Sequence, residues 1–471
     1  MMKLSLLLKA ISETKQARDV EITCITDDSR ACVPGALFVC HGGAEDYWPT
    51  AKANGAVFTV AARPLGENCL AVSDTKAALA ALCRTFFGCA DRSLQLFAVT
   101  GTNGKTTVAS MLAHILSLSG RPTGLLSTVT NAGAGGCGLT TPDCFSLHRA
   151  LRGMADSGKT HCVLEASSQG LAERRLDGLR FAAGIFTNLT RDHLDFHGSF
   201  ENYKQAKRRL FLQCESAILN YDDPAWRDMA AVCDGPVFTC SVRSNEADFT
   251  AKDIRVSPEQ LDYAFVSERL IHRVRLHLQG EFNIENSMAA LVAAMQCGVS
   301  LPEAAAALAS FSPVPGRMER LELNAPFRVF LDYAHTPDSL ERALRSLRRF
   351  CSGRLIVVFG CGGNRDSGKR PEMGKVAASF ADIAVVTSDN PRSENSGAII
   401  DDILSGMESS KTPVFLQPDR REAIAFALQK AGPGDIVLLA GKGHETTQIL
   451  QNEVLAFNER EIVKNIVKGM F

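Results

Sequence analysis

Lys105 closes the turn Gly101-Thr102-Asn103-Gly104 and is followed by Thr106 and Thr107. That order of residue types suits a polyphosphate. Backbone N–H groups at a helix start wrap phosphate oxygens, a lysine adds a point charge, and a threonine hydroxyl reaches a magnesium ion. The loop is more compact than the general G-x-x-x-x-G-K-[ST] pattern, and Val99 stands where the first glycine of that pattern would fall. A solvated Gly/Asn turn could share this composition, but the flanks favour the phosphate loop. Leu96 to Val99 read as a buried strand, and Val108, Met111, Leu112, Ile115 and Leu116 recur at helical spacing.

Other reactive residue types follow strand-like runs. Glu165 ends His161–Glu165, and Asp192 and His193 follow Phe181–Thr187. In open parallel sheets ligands bind beyond the carboxyl ends of the strands, so these clusters and the phosphate loop should converge. Glu165 and His193 are candidate ligands for a nucleotide-bound magnesium, although a lone loop histidine is by default structural. Phe200–Leu212 reads as a helix whose Lys204, Lys207, Arg208 and Arg209 form, from spacing alone, a solvated basic face. An alanine-rich helix is expected over Ser287–Met295, with Asn283 or Asn286 as its cap. Four later strands end in polar turns. They lead to Asp332-Tyr333-Ala334-His335, to Gly360 through Asp366, to Asp389-Asn390-Pro391-Arg392, and to Gly441-Lys442-Gly443-His444-Glu445. The glycines after Phe359 do not make a dinucleotide fingerprint.

These turns need a scaffold. A chain of 471 residues exceeds one hydrophobic core, and the expected class is α/β with three domains. Residues 1–88 form a small α/β unit with a polar turn, Asp27-Asp28-Ser29-Arg30, after a strand. Residues 89–316 form a mostly parallel sheet carrying the phosphate loop, and residues 317–471 form a Rossmann-like unit entered through the turn Ser312 to Arg317. With 45% hydrophobic and 22% charged residues the composition is that of a soluble globular protein, and a net charge of −1 argues against nucleic acid as partner. No run is long and apolar enough to span a membrane, and Met1 to Gln16 reads as mature protein with an amphipathic helix through Leu4, Leu7, Leu8 and Ile11. The 15 scattered cysteines, with no C-x-x-C, suggest reduced core residues in a cytoplasmic protein.

Taken together, Gly101–Thr107, Glu165–Ser168, Asn188–Asp195, Phe200–Leu212, Asp332–Pro337, Asp389–Arg392 and Gly441–Glu445 occur in the order seen in the Mur ligases, and the whole chain resembles that family. The resemblance implies an ATP- and magnesium-dependent amide ligase of cell-wall precursor synthesis, and through it of cell shape and division. UDP substrate would sit on the first domain, ATP on the second, and the incoming amino acid on the third. The D-glutamyl carboxylate of UDP-MurNAc-L-Ala-D-Glu would become an acyl phosphate that an amine attacks.

By the same resemblance Gly101, Thr102, Asn103, Gly104, Lys105, Thr106 and Thr107 hold the triphosphate, Asn283 lies near the adenine, and Arg317 and Asp332 lie near ribose and phosphates. Thr106, Glu165 and His193 serve magnesium, and Lys207 is a carbamylated lysine that serves a second ion. Lys105, Glu165, His193 and Lys207 form the catalytic set. Ser29, Thr140, Thr141, Ser167 and Arg175 match contacts to UDP-MurNAc-dipeptide, whereas the stretch after Val39 is shorter than usual. Arg365, Asp389, Asn390, Pro391, Arg392, Gly441 and Glu445 match the amino-acid site, and the D-N-P-R form implies meso-diaminopimelate. Paired guanidinium groups suit its second carboxylate. L-Lysine or another amino acid with the same chemistry, or a catalytically silent ATP-binding scaffold, are the alternatives. A monomer that closes about Pro313–Arg317 is expected.

Overall fold

The computed structural model describes residues 1–11, 19–133, 139–408, 410–451 and 453–470. Residues 12–16 of the opening stretch lie outside that set. The short helix Leu4–Leu8 buries Leu4, Leu7 and Leu8, as their spacing requires. It packs over a four-stranded parallel sheet of Cys24–Thr26, Ala36–Val39, Ala56–Ala61 and Cys69–Ala71. The helix Thr75–Phe86 covers the same core, to which Cys144 contributes from the helix Cys144–Asp156 of the next unit. Phe86, Phe87 and Phe145 stack edge to face across that joint. The strand that leads to the Asp27-Asp28-Ser29-Arg30 turn is in two pieces: Glu21–Ile22 pairs with Met2–Lys3, and Cys24–Thr26 enters the sheet.

The central sheet has nine strands among the described residues. Gln95–Thr100 lies between His161–Glu165 and Ala183–Phe186, with parallel register Val99 to Glu165 and Thr100 to Phe186. The strand Thr123–Leu126, next in the chain, lies beyond His161–Glu165 rather than beside Gln95–Thr100. The chain therefore leaves Gln95–Thr100 to one side and later returns to the other, which opens a crevice at that strand's carboxyl end. Strict alternation builds two cores. Phe97, Val99, Val163 and Ile185 face the helices Lys105–Leu118 and Phe282–Gln296, while Leu96, Ala98, Leu164 and Phe186 face the opposite layer.

The parallel strands end in an antiparallel extension, Leu261–Val266 and Ile271–Leu276, that strand–helix alternation does not reveal. Arg255, Asp262 and Arg275 face one another across those strands, so their polar faces hide the hydrophobic signal. Two helix expectations are corrected as well. The helix from Phe200 is α-helical only to Arg208 and continues as a 3-10 turn over Arg209–Gln213. The alanine-rich helix starts at Phe282, so Asn283 and Asn286 lie inside it and cap nothing. Asn283 Nδ2 donates to the Gln279 carbonyl, and Asn286 Nδ2 donates to Asn283 Oδ1.

The third unit has the strand order Glu319–Leu321, Arg328–Asp332, Ile436–Ala440, Leu355–Phe359, Ile383–Val386, Val414–Leu416, parallel except for the first. Its two faces again alternate: Phe330, Val357 and Phe359 in one core, Val329, Leu331, Ile356 and Val358 in the other. The four polar turns expected from the sequence thus leave one edge of one sheet. Cys83, Cys162, Cys214 and Cys240 sit inside the cores, where burial pushes their thiols up, that of Cys162 to about 12.

Candidate active site

The phosphate loop is held open by its neighbours. Gly101 and Gly104 have φ of 148° and 87°, in the region that favours glycine. A Cβ on Gly101 would meet Thr187 Oγ1, and one on Gly104 would lie 2.5 Å from Asn286 Oδ1. The segment after Ala183–Phe186 splints the loop: Thr102 N donates to the Asn188 carbonyl at 2.8 Å, Asn103 N donates to Asn188 Oδ1 at 2.9 Å, and Thr187 Oγ1 donates to the Asn103 carbonyl at 2.6 Å. Lys105 folds back and donates to the carbonyls of Gly101 and Thr102 at 2.9 and 2.8 Å. Burial lowers its pKa, while the carboxylates of Glu165 and Asp192 support its charge.

Three cavities adjoin along the crevice, holding about 570, 600 and 530 Å³ of space that is partly open to solvent. The first runs from Asn103, Gly104 and Thr107 to Asn286, Arg317 and Asp332. The second holds Thr102 through Thr107 with Thr140, Glu165, Asp192 and His193. The third, on the sheet edge of the last unit, holds Arg365, Asp389, Asn390, Arg392, Gly441 and Glu445. The first two share Arg317, and the last two share His193 and His335. The arrangement is a continuous path from a nucleoside-sized pocket, past a phosphate loop, to a pocket lined by two guanidinium groups.

Within the middle cavity Glu165 is almost fully buried and accepts from Thr128 N at 2.8 Å. Burial pushes His193 down to about 3, against the pull of Asp192, so its imidazole is neutral at physiological pH and can act as a ligand. Asp192 faces His193 at 3.4 Å, His335 at 3.7 Å and Lys369 at 3.8 Å. Burial disfavours its charge, but these partners hold the carboxyl well below the ordinary range. Thr106 Oγ1 accepts from Arg317 Nη2 at 3.1 Å, and the Arg317 guanidinium lies 4.4 Å from the centre of the Tyr333 ring. Among the described residues no group of three or more His, Cys, Asp or Glu side chains is set to hold a metal. A hydroxyl, a carboxylate and a neutral imidazole do converge on the phosphate cavity, and that mixture suits a hard cation whose remaining ligands come from phosphate.

Lys207 is not on a solvated face. It is 1% exposed, and its Nζ donates to the Gly101 carbonyl at 2.7 Å and lies 4.6 Å from the centre of the Tyr203 ring. Burial, followed by the charge of Lys105, drives its pKa well below that of a free lysine. The basic stripe inferred from spacing fails at this residue because the helix Phe200–Arg208 turns its Tyr203–Lys207 side toward the loop.

Other expected residues distribute unevenly. Thr140 lines the phosphate cavity, and Thr141 Oγ1 donates to the Glu165 carbonyl at 2.7 Å and accepts from Ser167 N at 2.8 Å. Arg175 Nη1 donates to the Thr141 carbonyl at 2.6 Å, and its guanidinium pairs with Glu173. Ser29 lies in the first unit, where its carbonyl accepts from Asn54 Nδ2 at 3.0 Å. Asn283 and Pro391 do not line a cavity of this path; Asn286 does, with Asn283 bonded behind it. Asp332 lines the nucleoside-sized cavity and accepts from Met318 N at 2.6 Å. Asn188, Asn286, Tyr333, His335 and Lys369 are site residues that sequence reasoning did not single out. His335 was within reach, since it follows a strand end in the same turn as Asp332.

Comparison with known proteins agrees with this layout. Residues 99–294 match the Mur ligase middle domain, and residues 316–443 match the Mur ligase, glutamate ligase domain. A protein of Geobacillus kaustophilus named UDP-N-acetylmuramoyl-L-alanyl-D-glutamate--2,6-diaminopimelate ligase is 39% identical over 466 residues, covering 95% of each chain. A protein of the same name from Thermosynechococcus vestitus is 41% identical over 469 residues, covering 96% of this chain and 94% of its own. A solved structure of a ligase of that name aligns over 100% of this chain and 99% of its own, with TM-score 0.71 and 32% identity. MurF ligase from Thermotoga maritima in complex with ADP shares the fold, with TM-score 0.65 and 20% identity over 95% of this chain and 98% of its own.

Proposed function

The chain belongs to the Mur ligase family, and from that premise we propose that it is the ligase that joins meso-2,6-diaminopimelate to the D-glutamyl carboxylate of UDP-MurNAc-L-Ala-D-Glu, with cleavage of ATP, in peptidoglycan precursor synthesis. The observation that carries the reading is the continuous path in which the phosphate cavity lies between a nucleoside-sized pocket and a pocket holding Arg365 and Arg392. A carboxylate is a poor electrophile, so the glutamyl oxygen first takes the terminal phosphoryl group of ATP. The amine then attacks the acyl carbon, and the tetrahedral adduct expels phosphate.

The residues divide this work. Backbone N–H groups from Gly104 to Thr107 and the Lys105 ammonium offset charge on the transferring phosphoryl group, while the N–H groups of Thr102 and Asn103 hold the loop to Asn188. Arg317, bonded to Thr106 and sharing two cavities, spans nucleoside and phosphates. Thr106, Glu165 and His193 would hold magnesium, which would supply further positive charge there. The amine of Lys207, whose pKa burial and Lys105 lower, can add to carbon dioxide, forming an N–C bond and releasing a proton, to become the carbamate that would serve a second ion. Thr140, Thr141, Ser167 and Arg175 would orient the muramoyl dipeptide, with Ser29 on its uridine side. Arg365 and Arg392 would bind the distal carboxylate of diaminopimelate, Glu445 and the Gly441 carbonyl would take its ammonium end, and Asn390 would add neutral polarity beside them.

No helix among the described residues is long and apolar enough to cross a membrane. We assign the enzyme to the cytoplasm, where ATP and nucleotide-linked sugars occur, and expect it to act as a monomer. The test is phosphate release from ATP and UDP-MurNAc-L-Ala-D-Glu, supplied in turn with meso-diaminopimelate, L-lysine and L-ornithine. Turnover with the first alone, with a tripeptide product of matching mass, is the expected result. Preference for lysine would overturn the specificity, and ATP binding without any turnover would overturn the ligase reading.

A further inference from the structure

Lys442 lines none of the three cavities, yet its ammonium is fully buried directly behind the third. It donates to Asn390 Oδ1 at 3.0 Å and to Glu445 Oε2 at 3.2 Å. Ile449 N donates to the same Asn390 oxygen at 3.0 Å. With two donors on Oδ1, the amide of Asn390 has one satisfactory orientation. Its NH2 must then face Glu445, and Nδ2 donates to Glu445 Oε2 at 2.8 Å. The orientation of the amide against the carboxylate is therefore fixed from behind by Lys442 together with Ile449 N.

We propose that Lys442 is a positioning residue for amino-acid selection: it locks the Asn390 amide with its NH2 toward Glu445, and so fixes in place the carboxylate that receives the ammonium end of the incoming diamino acid. The inference rests on the reading of the Arg365–Arg392 cavity as the amino-acid site. It explains why an acid cannot simply replace Asn390. The new carboxylate would keep its bonds to Lys442 and Ile449 N but would set an acceptor against Glu445 Oε2, and like charges at that distance disfavour each other. A change of amino acid would need both positions of the pair to change together.

The test is steady-state kinetics with UDP-MurNAc-L-Ala-D-Glu, ATP and varied meso-diaminopimelate. K442M removes the ammonium at similar volume, and K442Q keeps an N–H donor without charge. K442M is expected to raise KM for diaminopimelate at least about 10-fold, a size typical of a lost charge-assisted hydrogen bond, while KM for ATP and for the UDP substrate stay within about 3-fold. K442Q should recover part of the loss. Equal changes in all three KM values, or no change for diaminopimelate, would overturn the proposal. Should either variant fail to fold, the cycle N390D, E445Q and N390D/E445Q decides. The double variant restores a donor opposite an acceptor and should bind diaminopimelate better than N390D alone; a KM no better than that of N390D would refute the locked pair. If the unaltered enzyme turns over no diaminopimelate at all, the functional reading fails first.

Discussion

Lys105 and Lys207 donate to the same oxygen: the Gly101 carbonyl lies 2.9 Å from one Nζ and 2.7 Å from the other. Two buried ammonium groups on one acceptor repel each other, and the surroundings decide which gives way. Lys105 has Glu165 and Asp192 to support its charge. Lys207 has burial and Lys105 against it and only Asp192 in its favour, so it is the lysine that tends to the neutral amine. One carbonyl thus couples the phosphate-binding cation to the lysine suited to react with carbon dioxide.

Removing the first partner tests the phosphate role. Lys105→Ala should lower kcat for ATP-dependent phosphate release by about 10²–10³, the usual cost of deleting a charge aimed at the transition state. Its melting temperature should fall as well, because the buried carboxylates of Glu165 and Asp192 lose a compensating cation. Calorimetric ATP titration alongside the rate assay separates lost affinity from lost chemistry.

The second partner gives a spectroscopic prediction. Isotopically labelled bicarbonate should produce a carbamate carbon resonance in the native enzyme that is absent from Lys207→Arg. That variant should lose at least about 100-fold in kcat, since a guanidinium can be neither carbamylated nor a metal ligand. A labelled signal of equal size in the variant would place the carbamate elsewhere.

Gly104→Ala would force φ of 87° on a residue with a Cβ only 2.5 Å from Asn286 Oδ1. The backbone cost alone is about 1–2 kcal/mol. The displaced Asn286 lines the nucleoside-sized cavity, so the expected result is lower thermal stability together with weaker nucleotide binding. Unchanged affinity for ATP would argue against that cavity as the nucleoside site.

Arg392 lines the third cavity with its backbone at φ 54°, and its Nη1 donates to the Gly363 carbonyl at 2.8 Å. Arg392→Lys keeps a positive charge but not the planar fork. It should raise KM for diaminopimelate about 10- to 100-fold with little effect on KM for ATP. A parallel rise for both substrates would mean that the variant damages the fold instead.

His148 offers a pH test away from the chemistry. Its ring is buried on the helix Cys144–Asp156, its Nε2 has no hydrogen-bond partner, and burial lowers its pKa from 6.5 to about 4. Below 6.5 the unfolded chain binds a proton that the folded chain refuses, so stability falls as pH drops through the window from 6.5 to about 4. The loss is at most about 3 kcal/mol. His148→Leu should flatten this part of the acid limb in denaturant melts taken at successive pH values, and an unchanged slope would assign the loss to other groups.

The strand ends were legible in the sequence because apolar runs such as His161–Glu165, Leu355–Phe359 and Ile436–Ala440 can be buried on both faces only as parallel strands, and their first polar residues mark where the sheet ends. The phosphate loop was legible for the same reason, with glycine at the two positions whose Cβ would collide. The resemblance to Mur ligases added the roles of residues that no local pattern could assign. Only the tertiary structure decided what depends on a helix's rotation or on contacts between distant segments. Lys207 reads as surface charge by spacing and is buried under the Gly101 carbonyl. Asn283 and Asn286 read as caps, yet the helix starts before them, and only Asn286 reaches the cavity. Asp192 gathers His335 and Lys369 from another unit, and Lys442 fixes Asn390 and Glu445 from behind. Periodicity records which side of an element is apolar; the partner of a buried charge is set by packing between elements far apart in the chain, and that information is not local.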